Sequence, residues 1–234
     1  MRTAVLTAAL LLVAPAHAGA ATVQLMVVGK QRVLREAGPV KLTSRSVRVG
    51  GRRCAVGRAT PLSALAGTRL KLRLRDYAAC GRSPRDAGSL YVRQIGADRA
   101  SGASGWVYKV GRRAGTTGAA DPSGPFGRGR LRGGAEVLWF WCRQDRGQSC
   151  QRTLEVSSAP AVAAGASLSV TVKGYDDNGH GVAVAGATVR LGSSTAVTDA
   201  SGIAQVTAPA AGAARLTAER DGMVRSWPRR VRVA

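Results

Sequence analysis

Histidine is nearly absent from this chain, which holds only His17 and His180. Ten of its 234 residues are aromatic, Lys supplies five of 35 basic residues, and Asp and Glu together number 13. Each scarcity excludes something. So few histidines leave little material for Ser–His or Cys–His catalysis, and no nucleophile stands beside a matched base, so an enzyme is not expected. No cysteine pair has CxxC spacing, so no metal is expected, and no cofactor either. After the N-terminal apolar run, no segment approaches the ~20 apolar residues that a membrane-spanning helix needs. Few carboxylates leave the net charge at +22.

What is present begins with an export signal. Arg2, an apolar stretch from Ala4 to Val13, Pro15 and the small-residue pattern Ala16-His17-Ala18 read as a signal peptide over 1–18. Cleavage after Ala18 would remove His17 and yield a secreted, extracellular chain, released or associated with the cell surface. Four cysteines in such a chain imply disulfides, with three pairings open. Cys142 and Cys150 flank the polar stretch 143–149 between two strand-like runs, so a Cys142–Cys150 bridge would clip a hairpin, and Cys54–Cys80 follows by elimination.

The charge is unevenly spread. Residues 19–157 hold 26 basic and eight acidic residues, whereas 158–234 hold eight and five. The Arg excess, with abundant Ala and Gly, also has the look of high-GC coding bias. A composition break at Ser157-Ser158-Ala159-Pro160 opens a small-residue linker over 158–166, separating a domain at 19–157 from one at 167–234.

Within the first domain Val23, Leu25 and Val27 alternate with other side chains, as a strand would. Leu70, Leu72 and Leu74 alternate with Arg69, Lys71, Arg73 and Arg75, which places four cations on one strand face. Val137, Trp139 and Trp141 alternate with Leu138, Phe140 and Cys142, apolar on both faces as in a central strand. Thr60-Pro61-Leu62-Ser63-Ala64-Leu65-Ala66-Gly67 carries an N-cap, a proline at the first turn and a glycine stop. One short helix among strands predicts α+β. Beyond 167, short strands such as Leu168–Lys173 with the turns Asp199-Ala200-Ser201-Gly202 and Asp221-Gly222 predict an all-β sandwich.

The stretch Gly105-Trp106-Val107-Tyr108-Lys109-Val110-Gly111, then Gly118-Ala119-Ala120, then Leu131 to Trp141, resembles the transcobalamin C-terminal-like domain family over residues 22–145. The helix Thr60–Ala66 and the strand Leu90–Ile95 fall where that family has its helix and preceding strand. The resemblance implies a β-grasp-like mixed sheet with one short helix packed across it. It does not imply cobalamin binding, because the large helical partner domain of transcobalamins has no counterpart here. Val184-Ala185-Gly186-Ala187-Thr188-Val189 and Thr198 to Ala204 are similar to bacterial immunoglobulin-like and carboxypeptidase regulatory-like modules. That likeness implies an immunoglobulin-like C-terminal sandwich serving as a stalk, spacer or adhesive unit.

Three candidate sites remain. Trp106, Tyr108, Trp139 and Trp141 could stack a small planar ligand or a sugar, with inward core packing as the alternative. Arg69, Lys71, Arg73 and Arg75 could track an anionic polymer, with a solvated edge strand as the alternative. Without interleaved aromatics the stripe suits a phosphate-bearing cell-wall glycan better than nucleic acid. The loop Asp176-Asp177-Asn178-Gly179-His180 has a calcium-like look, but its spacing fits no EF-hand and turn formation accounts for it. The sequence therefore points to a non-enzymatic, secreted or cell-surface binding module contacting anionic cell-wall polymers. The alternative is a small-ligand, corrinoid-like carrier.

Overall fold

A computed structural model describes residues 21–144 and 149–234. The expected signal peptide, 1–18, lies outside the described residues, as does the part of the Cys142–Cys150 loop at 145–148. The strand Glu136–Cys142 forms the middle of a five-stranded sheet in the order Val33–Lys41, Thr22–Val28, Glu136–Cys142, Gly105–Val110, Arg113–Ala114. Thr22–Val28 runs parallel to it, and Gly105–Val110 antiparallel with Tyr108 opposite Trp139 and Trp106 opposite Trp141. Strand side chains alternate between faces. One face therefore carries Leu25, Val27, Trp139, Trp141, Trp106 and Tyr108, the other Met26, Leu138 and Phe140, and all are buried.

Over the first face lie the helix Pro61–Ala66, the hairpin Arg45–Val49 with Arg52–Val56, and a small sheet of Leu72–Asp76, Leu90–Ile95 and Asp98–Arg99. Helix formation follows from its ends. The Thr60 hydroxyl accepts the Ser63 amide and the Ser63 hydroxyl accepts the Thr60 amide, each at 3.1 Å, while Pro61 occupies the first turn and Gly67 closes the last.

The expected α+β, β-grasp-like class is corrected here. Of the described residues 49% are in strands and 5% in helices, a β-sandwich-like class with a single short α-helix. The reason is one of reach. A helix of six residues is only about 9 Å long, too short to cover the sheet, so strands supply most of the covering layer. Leu90–Ile95, which the resemblance matches to the family's preceding strand, belongs to that covering sheet and not to the central one.

The second body stacks two sheets. Thr153–Ser158, Ser167–Tyr175, Gly181–Ala183 and Ile203–Thr207 form one; Ala161–Val162, Arg229–Val233, Gly212–Glu219, Thr188–Leu191 and Ser194–Val197 form the other. Val170, Val172, Val189, Leu191 and Leu216 fill the space between them. Thr153–Ser158 pairs with Ser167–Tyr175, and Ala161–Val162 pairs parallel with Arg229–Val233. The stretch 158–166 thus passes from one sheet of the sandwich to the other, contributing the short strand Ala161–Val162.

The two bodies share a third apolar cluster. Val224 and Trp227 of the second body pack on Met26, Leu138 and Phe140, closing the second face of the central sheet. Around it, Arg112 donates from Nε and Nη2 to Glu155, and Glu136–Arg229 and Glu36–Arg215 also pair across the junction.

Candidate functional site

The aromatic quartet lies in the core. Trp106, Tyr108, Trp139 and Trp141 are all buried, with Trp106 edge-on to Trp141 at 5.7 Å between ring centroids and Tyr108 tilted against Trp139 at 5.4 Å. Their polar atoms are held by backbone. Trp106 Nε1 donates to the Asp98 carbonyl at 2.8 Å, Trp139 Nε1 to Pro61 at 3.4 Å, and the Tyr108 hydroxyl to Thr117 at 2.9 Å. Burial pushes the Tyr108 hydroxyl above its ordinary pKa. An apolar cleft of about 270 Å³ lies alongside, lined by Tyr108, Trp106, Leu90 and Gly115. The opposite face, where Phe140 points, is closed by Trp227 and offers no open platform.

The basic stripe is the surface that faces outward. Leu70, Leu72 and Leu74 pack against the core, and the alternation of the chain throws Arg69, Lys71, Arg73 and Arg75 into solvent. Leu72–Asp76 is an edge strand, so one side of its backbone is unpaired in the sheet. Among the described residues none of the four cations has a carboxylate within ion-pair distance. The nearby carboxylate, Asp76, is fully engaged. It accepts the amides of Cys80 at 2.8 Å and Ala78 at 3.1 Å, the Ser89 hydroxyl at 2.9 Å, and Arg52 at 3.3 Å. These contacts, the Cys80 amide foremost, hold its pKa below the usual carboxylate value.

Two tyrosines complete this face. Tyr77, 64% exposed, lies under the Arg75 guanidinium at 4.7 Å, and its ring centre is 6.1 Å from that of Tyr91. Tyr91 reaches the stripe because the register sets it directly opposite Arg75. Sequence reasoning missed both rings: Tyr77 lies one step past the last cation at the same two-residue spacing, and Tyr91 is brought in only by the pairing of Leu90–Ile95 with Leu72–Asp76. The Cys54–Cys80 bridge ties the neighbouring hairpin to the loop that follows the stripe, and a second bridge joins Cys142 to Cys150.

The acidic loop is structural in its contacts. Asp176 Oδ1 accepts the amides of Asn178 at 3.0 Å and His180 at 2.8 Å, which makes a side-chain-closed turn and keeps its carboxyl pKa below normal, the His180 contact contributing most. Sequence reasoning missed the loop's main partner. Lys109, fully buried, donates from Nζ to the carbonyls of Asp176 at 2.7 Å and Tyr175 at 3.0 Å and to the Thr153 hydroxyl at 3.2 Å, with Asp177 Oδ1 at 3.6 Å. Burial pulls its pKa below the usual lysine value, opposed by Asp177. The signal was a lone cation in the apolar strand Gly105–Val110. Among the described residues no three His, Cys, Asp or Glu side chains converge as a metal site would require, and no helix is long and apolar enough to cross a membrane. The chain matches no protein-family model, no curated protein and no solved structure.

Proposed function

We propose that this protein is a secreted, non-enzymatic binding module that holds anionic cell-wall polymer on the face built by Arg69, Lys71, Arg73 and Arg75. The observation that carries the reading is the exposure of four cations with no carboxylate partner among the described residues, Arg69 and Lys71 in the lead-in and Arg73 and Arg75 on the edge strand Leu72–Asp76, beside the Tyr77–Tyr91 pair. Repeated cations at two-residue spacing match a polymer with repeated negative charge, and the exposed Tyr77 ring, backed by the half-buried Tyr91, adds a flat surface on which a sugar ring can stack. Two disulfides suit an oxidising compartment. The carrier alternative has from the aromatic quartet only the cleft that the buried Trp106, Tyr108 and Trp139 help to line, about 270 Å³, at the small end of the ~300–1,000 Å³ usual for small-molecule sites.

Sedimentation with isolated cell wall tests the reading. Retention is expected at about 0.05 M NaCl and loss of most of it at about 1 M, where screening acts within a few ångströms. Replacing Arg69, Lys71, Arg73 and Arg75 together by Ala should abolish retention at low salt, with the circular dichroism spectrum unchanged. Retention indifferent to salt or to these replacements would overturn the assignment.

A further inference from the structure

A larger cleft, of about 680 Å³, opens between the two bodies and is lined by both. From the first body come the turn at 29–32, Trp141 and Arg143; from the second come Thr188, Arg190 and the loop at 219–225. Six cations line it, Lys30, Arg32, Arg143, Arg190, Arg220 and Arg225, against two carboxylates, Glu219 and Asp221. Glu219 is committed to Arg225 at 3.0 Å. Among the described residues the other five cations have no carboxylate within ion-pair distance, so five cations face one uncommitted carboxylate across a concave surface. Like charges gathered in a cleft repel one another, and the low-dielectric walls focus their field on whatever occupies the space.

The walls are held in place. The turn at 29–32 is closed by the Gly29 amide donating to the Arg32 carbonyl at 2.8 Å, and the Lys30 amide donates to Asp98 Oδ2 at 3.0 Å. A Cβ at Gly29 would stand 2.3 Å from that same carboxylate oxygen, so glycine is what permits the approach. The Lys30 ammonium sits 4.2 Å from the Trp141 ring centre, a cation–π contact that leaves its N–H groups free to turn to a ligand. Behind it, Gln151 clamps the strand end, donating to the Trp141 carbonyl at 2.7 Å and accepting the Arg143 amide at 2.8 Å. Across the cleft Gly186, at φ 66°, lies against Arg220, where a Cβ would meet the guanidinium at 2.4 Å.

We infer that this cleft binds a small, multiply charged oxyanion, a ligand with two or more phosphate, sulfate or carboxylate groups gripped from both bodies at once. Guanidinium groups present paired donors to such groups, and the volume lies within the range of small-molecule sites. The inference does not depend on the polymer reading, because the Arg69–Arg75 stripe lines no part of this cleft.

Isothermal titration of the full chain with inorganic tripolyphosphate, a sulfated disaccharide and citrate, each at constant ionic strength, is the test. At least one should bind at one site per chain and raise the thermal midpoint, and the three arms separate phosphate, sulfate and carboxylate. Lys30→Ala in the first body and Arg190→Ala or Arg220→Ala in the second should each weaken it by about tenfold, the scale of one charge-assisted contact. The fourfold alanine variant of the stripe should bind it as the parent does. Binding without a fixed stoichiometry, binding of none of the three, or binding that survives the cleft substitutions would overturn the inference.

Discussion

Lys109 shows at the residue scale how a charge is buried by spending backbone carbonyls and a hydroxyl on it, with a carboxylate only at its margin. An ammonium has three N–H donors, and all three find acceptors in Thr153, Tyr175 and Asp176, with the Asp177 carboxylate at 3.6 Å. The strand Gly105–Val110 belongs to the first body and all four partners to the second, so the side chain latches one to the other. Lys109→Met keeps the length and loses the donors, leaving two buried carbonyls and a carboxylate without their cation. It is expected to lower the unfolding free energy by about 3 kcal/mol, read from urea denaturation. A midpoint equal to the parent's would mean that desolvation cancels everything the latch gains. From the sequence only the oddity of one lysine among apolar strand residues was visible, because its hydrogen-bond partners lie 44 to 67 positions away.

At the scale of elements, local signals place an element but do not say what it packs against. The Leu70-to-Arg75 alternation and the Thr60, Pro61 and Gly67 helix signals are short-range; the helix forms over Pro61–Ala66 and the strand over Leu72–Asp76, with Leu70 and Lys71 leading into it. The neighbours of those elements are decided at long range. Tyr91 joins the basic face through register, and the layer over the central sheet proves to be strands because the helix ends after six residues. Asp76 closes the end of the basic strand, and its depressed pKa carries a pH signature. A carboxyl whose folded pKa lies below its unfolded value contributes stability that is fully present above 3.8, the ordinary value, and is lost as pH falls through the folded pKa. Asp76→Asn should therefore lower the urea midpoint at neutral pH, and the gap between variant and parent should narrow as pH drops below that value. A gap of the same size on both sides of it would show that the charge on Asp76 adds nothing.

For the whole molecule, the question is whether two bodies with separate cores behave as one. The composition break at 157 predicted a boundary, yet a linker and a strand of small residues look alike in sequence, and Ala161–Val162 pairs with Arg229–Val233. The scarce carboxylates are informative here: Glu36, Glu136 and Glu155 each face an arginine across the junction, so three acids of a strongly basic chain hold its halves together. Exposed ion pairs contribute little each, about 0–1 kcal/mol. The stronger tie is apolar, with Trp227 lodged on Met26, Leu138 and Phe140. Trp227→Ala opens a cavity at that junction and should cost about 3–5 kcal/mol. If the bodies are coupled mainly through this contact, the parent unfolds in one transition, with far-ultraviolet circular dichroism and tryptophan fluorescence reporting the same midpoint. In the variant the two signals should separate, since the remaining tryptophans, Trp106, Trp139 and Trp141, all report on the first body. Coincident curves with an unmoved midpoint would place the coupling elsewhere, on Lys109 and the three ion pairs.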